Sequence, residues 1–227
     1  MIRMDHPGIV RVLDIDEQDG LPYIVFEYVS ELSLQDLLEN IGRLPSERIA
    51  QIGAQVTAAL AAAHGAGLLH RDVKPENILV RKDGQVKLAD FGIATYLLPD
   101  GRAGDELAQA GLISGTPQYI SPEQISTPAQ IDYRADIYSL GATLYHAATG
   151  HPPFDLDTLD EMLNAHLSMT PVPLPSLVPG IDPELAQLIA QMLQKRPEDR
   201  PQSLTKLSEN FVRIAERAAM RHRLWKC

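Results

Sequence analysis

The chain has 227 residues, 44% of them apolar and 22% charged; this composition supports a buried core and argues against global disorder. Thirty Asp and Glu against twenty Lys and Arg give a formal net charge of −10, which opposes non-specific binding to nucleic acid, since that needs a basic surface. The single cysteine, Cys227, excludes an intrachain disulfide and a cysteine-rich zinc site.

The opening run Met1-Ile2-Arg3-Met4-Asp5-His6-Pro7 has no apolar core of a signal peptide. Residues 9–13 and 23–26 are β-rich, and a polar turn over 14–20 separates them, which predicts an antiparallel pair. From Ser33 the pattern becomes helical, with Leu34, Leu37, Leu38 and Ile41 on one face. Pro45-Ser46-Glu47 opens a second helix, which Gly65 and Gly67 close. Residues 49–70 contain no Asp, Glu, Lys or Arg, a length that could cross a membrane. Gln51, Gln55, Thr57 and His64 dilute that stretch, and Ile49, Ile52, Val56, Leu60 and Ala63 share one stripe, so it reads as a buried soluble helix.

Ile78-Leu79-Val80 and Val86-Lys87-Leu88 flank Arg81-Lys82-Asp83-Gly84, where the Asp-Gly pair is expected to supply the positive φ angles of a tight hairpin. Residues 99–115, with four glycines, and 170–183, with five prolines, are loop-like. Residues 136–150 are apolar nearly all round and predict a central buried helix. Asp182-Pro183 starts another, with Leu185, Leu188, Ile189 and Met192 facing inward. Residues 211–227 hold five Lys or Arg and one Glu. They form the solvated end of a terminal helix or, in the sharper reading, a basic segment before a membrane span. Strands come first and helices follow, an α+β arrangement.

Three segments carry chemistry, in this order: His70-Arg71-Asp72-Val73-Lys74-Pro75-Glu76-Asn77, Asp90-Phe91-Gly92, and Gly115-Thr116-Pro117-Gln118-Tyr119-Ile120-Ser121-Pro122-Glu123. Moving a phosphoryl group from ATP to an alcohol needs a carboxylate near the hydroxyl, oxygen ligands for Mg²⁺ and a cation near the transferred phosphate. Asp72 suits the first role, Asn77 and Asp90 the second and Lys74 the third. The strand pair between Asn77 and Asp90 would bring those two ligands together.

These motifs resemble those of the eukaryotic-like protein kinases: H-R-D-x-x-x-x-N, then D-F-G, then a form of A-P-E in which Ser121 replaces Ala. The run from Tyr23 to Val29 and the Gln-Tyr-Ile-Ser-Pro-Glu-Gln stretch are similar to bacterial membrane-linked Ser/Thr kinases. The resemblance implies ATP and Mg²⁺ as cofactors and Ser/Thr-containing protein substrates, with no nucleic-acid partner. Localisation would be cytoplasmic, with a membrane involved only if a span follows the basic tail. It also implies that Thr116 contacts Asp72 and Lys74, and that Phe26 is the residue behind the adenine. Glu27 to Val29 would be the hinge offering backbone hydrogen bonds. His70 and Phe91 would pack together, Asp136 would brace the catalytic loop, and Arg200 would pair with Glu123. Taken alone, His70 reads as a packing residue and Asp136 as a helix N-cap. Arg71, before Asp72, suggests control by activation-loop phosphate, with Thr95 and Ser114 as the candidate sites, because Ala108 and Ala110 stand where relatives carry threonines.

The resemblance implies a protein-kinase fold with a complete helical large lobe and a truncated β small lobe. The divisions are 1–29 for the small-lobe remnant, 30–217 for the large lobe and 218–227 for the basic tail. The 227 residues contain neither the family's glycine-rich loop nor its strand lysine, and Lys82 and Lys87, on the hairpin, are no substitutes. Little or no activity is therefore expected of the chain by itself. A clipped reading frame, a gene remnant and a pseudokinase-like binding module are the open alternatives. The last would dock a partner, such as another kinase, through the open sheet edge.

Overall fold

A computed structural model describes residues 5–19, 21–30, 32–90, 95–96 and 115–224. Phe91, Ala108, Ala110 and Ser114 lie outside the described residues, as does most of the loop expected over 99–115. The first elements are strands β1 (Val12–Gln18) and β2 (Leu21–Phe26), paired antiparallel. The pairing differs from expectation in extent. The polar residues 14–18 are strand, not turn, and Asp14 pairs with Val25 and Asp16 with Tyr23. Asp14 and Asp16 accept the amides of their own successors, and the reversal is left to Asp19, at φ +56. Ile9 is not in this hairpin. It is buried and forms a parallel bridge to Leu88.

Strand β3 (Leu32–Ser33) leads into α1 (Leu34–Ile41). Ser33 Oγ accepts the Asp36 amide at 3.0 Å and Asp36 accepts the Ser33 amide at 2.8 Å, a reciprocal cap. Helix α2 (Ser46–Gly65) buries Ile49, Ile52, Val56, Leu60 and Ala63 along one stripe, and ends before β4 (Leu68–Leu69). Strands β5 (Ile78–Val80) and β6 (Val86–Leu88) form the expected hairpin, and β3 adds to its β5 edge. Its turn departs from expectation, because only Gly84 has positive φ, +91. Asp83 instead accepts the Gln85 amide at 2.9 Å and so fixes the turn through its side chain. Strand β7 (Thr95–Tyr96) pairs with β4.

The remaining described elements are helical: α3 (Pro122–Ser126), α4 (Arg134–Thr149), α5 (Leu159–Ser168), α6 (Leu174–Leu177), α7 (Pro183–Met192) and α8 (Leu204–Leu224). The proline-rich stretch is thus not all loop: α6 lies within it. Every residue of α4 from Ala135 to Ala148 is buried, so this helix is the axis on which the core is built. Helix α2 packs against both α4 and α8. Asp182 caps α7 by accepting the amides of Glu184 and Leu185. No helix among the described residues is long and apolar enough to cross a membrane.

Three buried histidines are held neutral. Burial lowers His146, and it pushes His166 down to about 3, helped by the neighbouring Lys195 charge. Burial also lowers His70, against the pull of Asp136. Each folded value lies below the ordinary histidine value of about 6.5, so the unfolded chain binds the extra proton first. Stability is therefore full above pH ~6.5 and falls as pH drops toward the folded values, by up to about 1.4 kcal/mol per pH unit per histidine. Denaturant titrations from pH 7.5 to 4.5 should show this slope, and His166→Gln should make it shallower by one proton.

Candidate active site

The loop between β4 and β5, residues 70–77, carries most of the candidate side chains, and α4 anchors it. Asp136, in the first turn of α4, is buried and accepts the backbone N–H of His70 at 3.0 Å and of Arg71 at 2.8 Å. It also bonds His64 Nε2 at 2.8 Å. The N-cap position belongs to Tyr133, so Asp136 serves the loop rather than its own helix end. Burial pushes the Asp136 carboxyl up, but the His64 bond and the His70 backbone N–H outweigh it and hold it below the usual carboxylate range.

Above this anchor the backbone is bent sharply. Arg71 has φ +67 and Asp90 φ +59, left-handed conformations that are uncommon outside glycine and cluster at functional sites. His70 spans the two segments: its Nε2 bonds the Ala89 carbonyl at 2.9 Å and its Nδ1 accepts the Asp72 amide at 3.3 Å. Gln124 Nε2 donates to the Arg71 carbonyl at 2.9 Å. Gly115, at φ +129, packs against the same point, where a Cβ would lie 3.2 Å from Gln124 Nε2 and 3.3 Å from the Arg71 carbonyl oxygen. Only glycine meets both demands.

The polar groups converge on Asp72. Its Oδ1 accepts the Thr116 amide at 2.9 Å and the Thr116 hydroxyl at 2.7 Å. Its Oδ2 lies 2.7 Å from Lys74 Nζ, and Lys74 also donates to Thr116 Oγ1 at 2.7 Å. Asn77 Nδ2 donates to the Asp72 carbonyl at 2.8 Å, which orients the amide so that Oδ1 faces away from Asp72. Ile78 pairs with Leu88, and the Ala89 amide donates to the Asn77 carbonyl at 2.8 Å. Asp90, the next residue, is thereby carried alongside Asn77. Asp72, Lys74, Asn77 and Thr116 thus form one connected cluster.

Glu123 and Arg200 lie away from this cluster as a buried pair. Arg200 Nη1 and Nη2 meet the two Glu123 oxygens at 2.6 and 2.8 Å. The other N–H groups reach the carbonyls of Arg134, Gln194 and Lys195, so all five guanidinium donors are satisfied. The guanidinium also lies 4.9 Å from the Tyr138 ring centroid. The pair joins α3 to the segment before α8. Phe26 ends β2, and the Glu27 amide donates to the Arg11 carbonyl at 2.9 Å; Val29 follows outside any strand. Thr95 lies in β7 with its backbone paired to Leu69. Sequence reasoning missed Gln124 and His64. The Ser121-x-x-Gln124 capping pattern was a legible signal for the first, whereas His64 carried none beyond its place on the α2 stripe.

A family model for the protein kinase domain matches residues 1–212. The chain belongs to the protein kinase domain family. It is similar to the serine/threonine-protein kinase PknB of Mycolicibacterium smegmatis, 37% identical over 94% of this chain and 34% of the relative. PknB of Mycobacterium tuberculosis is 36% identical over 93% of this chain and 34% of its own length. The serine/threonine-protein kinase pkn3 of Myxococcus xanthus is 41% identical over 88% of this chain and 38% of its own length. The chain therefore spans little more than a third of the curated relatives it matches. The match places it among bacterial Hanks-type kinase domains with an α+β protein-kinase fold.

In Asp136→Asn, one of the two acceptor oxygens becomes an amide nitrogen, which cannot accept, so either the His70 or the Arg71 backbone N–H loses its partner. Loss of this buried charged brace should destabilise the domain by about 3 kcal/mol, read as a lower denaturation midpoint at pH 7. A midpoint equal to that of the unaltered chain would refute the bracing role.

Proposed function

We propose that this domain transfers the γ-phosphoryl group of ATP to Ser or Thr hydroxyls of protein substrates. The observation that carries the reading is the closed set of bonds among Asp72, Lys74 and Thr116. A carboxylate oriented from one side by Thr116 and from the other by an ammonium suits a base that receives the substrate hydroxyl proton. As the hydroxyl oxygen bonds to the γ-phosphorus, the bond to the β-phosphate oxygen breaks, ADP leaves, and the proton passes to Asp72 and then to water. Lys74 Nζ lies where negative charge on the transferred group is met by a cation. Thr116 holds both in register.

Asn77 Oδ1 and the Asp90 carboxylate offer two hard oxygens, the donor type that suits Mg²⁺, which usually takes one or two protein ligands and completes its shell with phosphate and water. When bound, Mg²⁺ would neutralise phosphate charge. The backbone of Glu27 to Val29, next to Phe26, would take the adenine edge. ATP supply implies the cytoplasmic side of the cell, free or as part of a membrane-anchored kinase. We divide the chain at 29 and 217 into a small-lobe portion, the large lobe and the basic tail.

The 227 residues by themselves lack a glycine-rich loop and a strand lysine, so the chain alone would turn over slowly. A second reading, a non-catalytic binding module, is favoured by the β1–β2 hairpin, where Leu21, Tyr23, Ile24 and Phe26 are exposed and could receive a partner such as another kinase. Titrating the chain with Mg-ATP while following its melting temperature separates the two. A saturable rise that disappears in Asp90→Asn is expected. A cooperative melt that Mg-ATP does not move would refute the nucleotide-site reading and favour the binding module.

A further inference from the structure

Among the described residues, the segments on either side of the β1–β2 hairpin bond the β5–β6 hairpin at one place. The Val10 amide donates to the Leu88 carbonyl at 2.9 Å and the Leu88 amide to the Gly8 carbonyl at 2.8 Å. One strand residue earlier, Lys87 sends its ammonium across this junction. Its Nζ lies 2.6 Å from Glu27 Oε1 and 3.3 Å from the Ile9 carbonyl. The same Glu27 oxygen accepts the Arg11 amide at 2.9 Å, and the Glu27 amide returns a bond to the Arg11 carbonyl at 2.9 Å. Among the described residues, Lys87–Glu27 is the ion pair that ties residues 5–30 to the rest of the domain.

Both side chains are largely shielded, at 15% and 22% exposure, so solvent weakens this pair less than an ordinary surface pair. Burial opposes ionisation of Glu27, but the Lys87 bond and the Arg11 amide outweigh it and hold the carboxyl below its usual range. The position of the pair matters more than its strength. Lys87 stands opposite Leu79 in the β5–β6 hairpin, whose ends carry Asn77 and Asp90. Glu27 begins the segment to which the adenine edge is assigned above. The strap therefore links the two places that would hold opposite ends of one nucleotide.

We propose that Lys87 is a positioning residue for the nucleotide: through Glu27 it sets the adenine-binding segment at a fixed distance and angle from the strand that leads to Asp90. The inference rests on the nucleotide-site reading given above and adds a residue to it. Lys87 touches no phosphate in this role, and its effect is carried by the orientation of the Glu27 to Val29 backbone. Lys87→Arg can rebuild the ion pair, whereas Lys87→Met keeps the aliphatic stem and removes the charge.

The test compares the full 227-residue chain, Lys87→Met and Lys87→Arg with three probes, Mg-ATP, adenosine and Mg-tripolyphosphate, by calorimetric or competition binding. Lys87→Met should weaken Mg-ATP and adenosine by about tenfold, at the low end of usual couplings between sites, and leave tripolyphosphate binding unchanged. Lys87→Arg should restore adenosine affinity to within about twofold of the unaltered chain. Amide exchange at Val10, Glu27 and Leu88 should quicken in Lys87→Met and not in Lys87→Arg. Equal adenosine affinity in all three proteins would overturn the proposal. A parallel loss of tripolyphosphate binding would also overturn it, since that marks general destabilisation. No Mg-ATP binding by the unaltered chain would sink the nucleotide-site reading and the positioning role together.

Discussion

One buried carboxylate sets the frame of the site. Asp136 lies inside the domain, on the helix that forms the axis of the core, and two backbone N–H groups of the 70–77 loop point at it. A loop that turns through a left-handed residue at Arg71 cannot satisfy those amides with its own backbone. The helix supplies the acceptor, and the desolvated carboxylate is in turn satisfied by the loop and by His64. Each side compensates the other, so the loop takes the position that α4 dictates. Packing around α4 thereby becomes placement of Asp72.

The second level of organisation ties the far segments to that loop. Gln124 reaches the Arg71 carbonyl, and Gly115 lets the chain pass close enough for Thr116 to bond Asp72. The Glu123–Arg200 pair fixes α3, from which Gln124 projects, against the segment before α8. Removing such a pair by half leaves a buried charge unmet, which costs several kcal/mol. Its value here is geometric: residues about eighty positions apart in the chain hold the platform on which the Thr116 segment rests. Among the described residues, the β1–β2 hairpin has no comparable anchorage. Leu13, Leu21, Tyr23, Ile24, Val25 and Phe26 are exposed, and among the described residues the junction at Gly8, Val10, Glu27 and Lys87 bonds it to the β5–β6 hairpin.

Much of the helical architecture was legible because several helices carry local punctuation. Ser33 with Asp36 caps α1 and Asp182 caps α7 within four residues, whereas Pro45 marks the start of α2 without a side-chain cap. The buried character of α4 showed in its nearly continuous apolar sequence. The ends of the strands are less legible. Residues 14–18 look polar because the hairpin is exposed on both faces, so the alternation that normally betrays a strand is absent. Asp83 looked like a left-handed turn residue, but a side-chain bond to Gln85 serves the turn instead.

By itself, the sequence determined which residue types stand at which spacing: Asp72, Lys74 and Asn77 within one short loop, and Asp90 one hairpin further on. Those separations are local, and local chain geometry is enough to bring such groups near one another. It also determined the α+β class, since hydrophobic period and capping are short-range properties. The closure of the set by Thr116, 44 residues from Asp72, was expected only through the family resemblance and not from local pattern; the tertiary structure alone decided that His64 and Gln124 support the loop and that Lys87 meets Glu27 across 60 residues. Long-range pairings of this kind depend on how helices and strands pack in three dimensions, and no short-range pattern in the chain encodes that packing.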